Sequence, residues 1–162
     1  MEKNKVMREI KFRAKDTLER NWYVGSYIFT DDNTNNPFRS RPFKESHRII
    51  FYSSGDWNMG GWNDVEIDPS TLGQYTGLKD KNGKEIYEGD ILKHSYWDKV
   101  PLDVFQQGGK DEYIEEILIV KYSVECGCYL SDSFTGIDMW ICEESEVIGN
   151  IYDNPELINK EK

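Results

Sequence analysis

Within Tyr75–Lys93 stands an Asn82-Gly83 pair, and a second glycine step, Gly89-Asp90, precedes Ile91-Leu92. Asn82 and Gly83 can supply the two positive φ angles of a type I′ turn, so the segment reads as a hairpin or a tight bend. The Gly89 step reads as a glycine kink through which the next strand is entered, as in small barrels. Asn82, Gly83 and Gly89 are therefore structural turn residues in this reading.

The rest of the chain is consistent with strands. Aromatic residues make up 14% of it and Ala occurs once, at Ala14, a mix suited to pleated, half-buried surfaces rather than helices. At 162 residues one compact domain is expected over 1–162, large enough for a core without disulfides or metal. The fold class is mainly β: a small SH3-like, barrel-type sheet core over 73–157, an N-terminal β-hairpin region over 7–70, and one short C-terminal helical turn.

Along the chain, Ile10, Phe12 and Ala14 share one strand face by period two, and Trp22–Phe29 forms a hairpin with that strand. Residues 31–48 lack periodicity and read as a long loop, with His47–Tyr52 as the next strand. Ser53–Asn63 is a Gly/Asn/Trp loop, and Asp68-Pro69 turns the chain. A polar loop covers Tyr96–Lys110; Tyr113–Tyr122 is a central strand, although Tyr113–Ile119 also fits a short helix. Tyr129–Gly136 is turn-like, Met139–Cys142 and Glu146–Tyr152 are the last strands, and Asn154-Pro155 opens the closing helical turn.

Charge narrows the partners. The net charge of −10 opposes attraction to phosphate backbones and anionic membranes, so nucleic acid is an unlikely partner and no membrane is expected. The longest apolar run, Ile117–Val120, is far below the roughly 20 residues that span a bilayer. An odd number of cysteines, Cys126, Cys128 and Cys142, and no charged-then-apolar leader in Met1–Asn21 place the protein in a reducing cytoplasm.

Three separated stretches now stand out together: Met7–Ala14, the block from Gly73-Gln74-Tyr75-Thr76-Gly77-Leu78 to Gly89-Asp90-Ile91, and Val147–Leu157. In order and spacing they resemble the signature stretches of the YopX family, with Lys15 in place of the Trp expected before Asp16. The resemblance implies a mainly β protein of phages and prophages, of uncharacterised function, prone to homo-oligomerise in the bacterial host cell. It implies no catalytic residue.

Candidate chemistry is sparse. Cys126-Gly127-Cys128 with Cys142 and His94 lacks the second ligand pair of a structural zinc site, so no metal and no cofactor is assigned. Trp57 and Trp62 in their polar loop suit ligand stacking or, better, an interface between protomers. Arg39, Arg41 and Arg48, with Lys44 and His47, form the one basic stretch compatible with nucleic-acid contact. Glu112, Glu115 and Glu116, like Glu143, Glu144 and Glu146, read as solvated acidic faces, and no nucleophile–base motif accompanies His47 or His94. The reading is a non-enzymatic accessory protein: a homo-oligomeric protein-binding or scaffold module, its partners itself and a host or phage protein. The alternative is a nucleic-acid-linked role, through the 39–48 loop or by acidic mimicry of DNA.

Overall fold

The computed structural model describes residues 9–31, 45–54, 60–99, 101, 109–131 and 139–160. It is mainly β, and its contacts divide into two units, Met1–Tyr75 and Thr76–Lys162.

In the first unit the strands are β1 (Phe12–Lys15), β2 (Trp22–Asp31), β3 (Glu45–Ser53), β4 (Gly61–Glu66) and the start of β5 (Gly73–Lys79). They lie antiparallel in the order β4-β3-β2-β1-β5. The β1–β2 hairpin expected from the sequence is present, with Phe12 opposite Gly25 and Lys15 opposite Trp22. Its loop is organised by Asp16. One carboxylate oxygen accepts the N–H groups of Leu18 and Glu19 at 2.7 and 2.6 Å, and the other accepts that of Asn21 at 2.9 Å. The bond from Glu19 is the largest influence and, with the others, outweighs desolvation, so the carboxyl sits below its ordinary pKa.

Period-two alternation puts Ala14, Ile49 and Ile67 inside, against half-buried Tyr23, Tyr27, Phe51, Val65 and Leu72. Ile10 does not join that face: it precedes β1 and is exposed. Two loop readings also change. β3 begins at Glu45, inside the supposed loop 31–48, and β4 begins at Gly61, inside Ser53–Asn63; residues 32–44 and 55–59 lie outside the described residues. Six paired positions, from Arg48↔Glu66 to Ser53↔Gly61, make β4 a strand despite its Gly, Asn and Asp content, because cross-strand pairing overrides local propensity.

The second unit holds the end of β5, then β6 (Glu85–Tyr87), β7 (Asp90–Asp98), β8 (Glu112–Ile119), β9 (Lys121–Ser123), β10 (Cys128–Leu130), helix α1 (Met139–Glu144) and β11 (Ser145–Asn150). β5 neighbours β6, β9 pairs with β10, and a three-stranded sheet has the order β11-β7-β8. These sheets are open and antiparallel, and none closes into a barrel among the described residues, so the SH3-like closure expected for 73–157 is not found. A barrel needs every strand paired on both sides, whereas β8 and β11 each border β7 alone.

The Asn82-Gly83 bend is real but of another type. Asp80 donates its N–H to Lys84 at 2.8 Å and accepts that of Gly83 at 2.9 Å, and Gly83 has a φ of 80° while Asn82 is not in the positive-φ region. This is a three-residue loop ending on a left-handed glycine, not a type I′ pair. The Asp80 side chain explains the difference, since one of its oxygens accepts the N–H groups of both Asn82 and Lys84. Gly89 is the kink anticipated from the sequence, with a φ of 80° and its N–H on the Val120 carbonyl. The buried Asp90 carboxylate accepts the Tyr87 N–H across it at 2.8 Å.

Ile86, Leu92, Leu118, Val120, Ile141, Cys142 and Val147 form the core of this unit. Residues 112–119 are strand, which settles the ambiguity at Tyr113–Ile119. Met139–Cys142 is helix rather than strand. Adjacent strand residues point to opposite faces, yet Ile141 and Cys142 are both buried in one cluster, as helical spacing near a sheet end allows. β7 continues to Asp98, two residues past the expected loop start at Tyr96, because β8 pairs with it throughout. The closing helical turn spans Pro155–Lys160. No described helix is long and apolar enough to cross a membrane.

Candidate functional site

Trp62 projects from edge strand β4, not from a loop; it is 76% exposed and packs edge-on against exposed Tyr52 at 5.7 Å between ring centroids. Arg48, on the neighbouring strand, pairs its guanidinium with Asp64. His47 is hydrogen-bonded to the Tyr27 hydroxyl at 2.7 Å and flanked by Phe29. Trp57, Arg39 and Arg41 lie outside the described residues. The structure thus sets Trp62 beside Tyr52 and Arg48 beside Asp64, so the charge offered to a phosphate at Arg48 is already partly neutralised. The thiols are distributed: Cys142 is in the core, Cys126 is exposed, and Cys128 is half-buried on the far side of Gly127.

A second cluster lies in the other unit, where the core face of β7 turns polar. Leu92, His94 and Tyr96 alternate along that face, opposite Leu118, Glu116 and Ile114 of β8, with Val147 and Ser145 of β11 on the other side. His94 is 2% exposed, and its Nδ1 lies 3.1 Å from the Ser145 hydroxyl. Ser145 donates its own proton to the Ile141 carbonyl at 2.6 Å, which leaves its oxygen to accept and assigns the imidazole proton to Nδ1. The buried hydroxyl thus ties the imidazole of β7 to the α1–β11 junction.

Tyr96 stacks on the His94 ring at 5.3 Å and donates its hydroxyl to Glu116 at 3.2 Å. Desolvation first, then the Glu116 hydrogen bond and charge, push the phenol pKa up. The second Glu116 oxygen is shielded from solvent and has no hydrogen-bond partner among the described residues. Next to this cluster a cleft of about 360 Å³ is lined by Ser95, Tyr96, Trp97, Lys99 and Glu144. The Trp97 ring also meets Tyr113 at 5.3 Å, and both are exposed. The lining combines an aromatic wall, a hydroxyl, one cation and one anion, which is the chemistry of recognition. Trp97 and Tyr113 were not singled out from the sequence, and Glu144 was read there as part of a solvated acidic face. The usable signal was the aromatic run Tyr96-Trp97 continuing the β7 pattern.

The turn residues form a separate scaffold. Asp80 reaches the last stretch of the chain, accepting the Val147 N–H at 3.0 Å, while Lys81 donates to the Ser145 carbonyl and Ile151 to that of Gly89. Burial opposes the Asp80 charge, but the Val147, Lys84 and Asn82 N–H groups prevail and hold its pKa below the ordinary value.

The fold defines a mainly β protein of antiparallel sheets whose most legible sequence blocks, around 73–91 and 147–157, bind each other by main-chain contacts. The chain belongs to the YopX family, whose model matches residues 11–159. It is similar in structure to "Crystal structure of protein EF1440 from Enterococcus faecalis", with a TM-score of 0.53 and 24% identity over 94% of this chain and 99% of that one. At this identity the likeness bears on the fold alone. None of the curated proteins matches the chain.

Proposed function

We propose that this YopX-family chain is a non-enzymatic accessory protein of phage or prophage type, which self-associates in the bacterial cytoplasm and serves as a protein-binding or scaffold module. The observation that carries the reading is the β4 edge, where Trp62, on a strand with no outer neighbour among the described residues, stands exposed beside Tyr52 of β3. Exposed aromatics on an unpaired edge are unfavourable in water and are strong anchors once covered. Covering most of one indole is worth about 3–4 kcal/mol before association costs. A net charge of −10 on each copy opposes self-association at low salt, so screening strengthens it.

Light scattering on the purified chain tests this. The expected result is a mass above one protomer that rises with salt, and a lower mass for Trp62→Ser with an unchanged circular-dichroism spectrum. A folded Trp62→Ser variant of unaltered mass, or a wild type that is monomeric at all salt concentrations, removes the β4 edge as the interface.

A further inference from the structure

Strand β7 outruns one of its two neighbours. β8 accompanies it to its end, at Asp98↔Glu112, whereas β11 stops at Ser145↔His94. Immediately before Ser145 the chain is helical, in α1, so the sheet has a notch: on the β11 side, residues 95–98 of β7 have no strand beside them among the described residues. The cleft of about 360 Å³ lies there, with Glu144, the last residue of α1, in its wall.

We propose that this notch binds an extended, basic segment of a partner protein by strand addition, continuing the line of β11 along β7. The shape argues for a strand. Four residues of β7 run past β11, and at about 3.3 Å per residue they offer a track of roughly 13 Å whose main-chain groups can extend the sheet. The charge argues for a basic one. Glu144 lines the cleft, Glu115 shares the Trp97 face of the β7–β8 pair, and Asp98, Glu112 and Glu116 share the Tyr96 face, against Lys99 in the lining and Lys93, which is paired with Glu115; the chain as a whole carries −10. The aromatic wall suits one Lys or Arg on the Trp97 face of the added strand. Trp97 is 62% exposed and braced by Tyr113, so it offers a face to an aliphatic stem and a cation above it. Single-stranded nucleic acid also stacks on aromatics, but these carboxylates repel its phosphates. The proposal shares with the preceding reading only the premise of a binding protein, and its site does not include Trp62.

The test is fluorescence anisotropy with three dye-labelled octapeptides titrated with the full chain: alternating Lys/Val, the same Lys/Val peptide N-methylated at every residue, and alternating Glu/Val. N-methylation keeps the charge but removes the N–H donors of both edges, so that peptide cannot complete a ladder. The expected result is saturable binding of Lys/Val that weakens with salt and is at least 10-fold tighter than for the other two. Trp97→Ser and Glu144→Lys, both at exposed positions and checked by circular dichroism, each lower it at least 10-fold, while Trp62→Ser leaves it unchanged. Amide exchange at residues 95–98 slows in the complex. Equal binding of Lys/Val and its N-methylated form, no saturable binding of Lys/Val, binding insensitive to both notch variants, or preference for an oligothymidylate overturns the proposal. Loss of self-association in Trp62→Ser with peptide binding intact separates the fate of this site from that of the β4 edge.

Discussion

The two units bury their hydrophobic residues differently. In Thr76–Lys162 seven residues form a nearly solvent-free cluster, and the polar groups beside it, Asp80, Asp90, His94 and Ser145, are buried and hydrogen-bonded. In Met1–Tyr75 the corresponding cluster among the described residues has three buried members, Ala14, Ile49 and Ile67, and the aromatics around them, Tyr23, Tyr27 and Phe51, are half-covered, while Val24, Ile28, Tyr52 and Trp62 are exposed. A unit that closes its own core spends its side chains on stability; one that leaves aromatic area in water retains surface on which association can act. In the first unit the surplus is a face and an edge strand. The second exposes Trp97 and Tyr113 beside the notch and Tyr122 on β9.

Four expectations can break or sharpen that contrast. The largest is Leu118→Ala, which empties a position with no solvent access and should cost about 3–4 kcal/mol in urea unfolding; Phe51→Leu in the half-covered layer should cost less than about 1.5 kcal/mol. Equal losses would mean that the first unit is packed as tightly as the second. Next is Asp80→Ala, which strands three main-chain donors and should cost about 2–3 kcal/mol in the same assay. Thermal melts should then rank two glycines. Gly83→Val meets open space and carries only the positive-φ penalty, on the order of 1 kcal/mol, whereas a Cβ at Gly89 also approaches the Tyr152 ring at 3.0 Å, so Gly89→Val should melt lower. An unchanged melting temperature for Gly83→Val would show that the loop tolerates another conformation. Smallest is Glu115→Gln, which breaks the exposed 2.7 Å pair with Lys93 and should change stability by less than about 0.5 kcal/mol.

Acid offers a further comparison across the two units. Asp16 and Asp68 in the first and Asp80 in the second all have folded pKa values below the ordinary 3.8, that of Asp68 lowered to about 2 by the Ser70 hydroxyl and then by Arg20. A depressed folded pKa means stability that is complete above the unfolded value and is lost as pH falls through the folded one. Unfolding followed from pH 5 to pH 2 should therefore show a falling midpoint. Asp68→Asn should flatten that fall, and a slope identical to wild type would show that its carboxylate is not a source of acid sensitivity.

Much of the architecture was legible locally. The β1–β2 hairpin, the Gly89 kink, the bend at 80–84 and the final turn follow from period-two patterning and from residues with narrow backbone preferences, which act within a few positions of themselves. Trp62 could be read as a surface residue because its polar neighbours are local facts, but its place on a strand could not, since β4 exists through pairing with β3. The same holds for α1, where burial of both Ile141 and Cys142 decides against a strand, and for the turn at Asn82, whose geometry is dictated by the Asp80 carboxylate.

The sequence by itself determined a strand-rich, acidic chain whose separated signature blocks mark its family, because composition, charge and turn chemistry need no knowledge of distant contacts. Only the tertiary structure decided that those blocks meet through Asp80 and Val147, that the sheets are open among the described residues, and that β7 extends past β11 to leave a notch beside Trp97 and Glu144. Register and strand length are set by which partner lies alongside, and that partner is dozens of residues away in the chain.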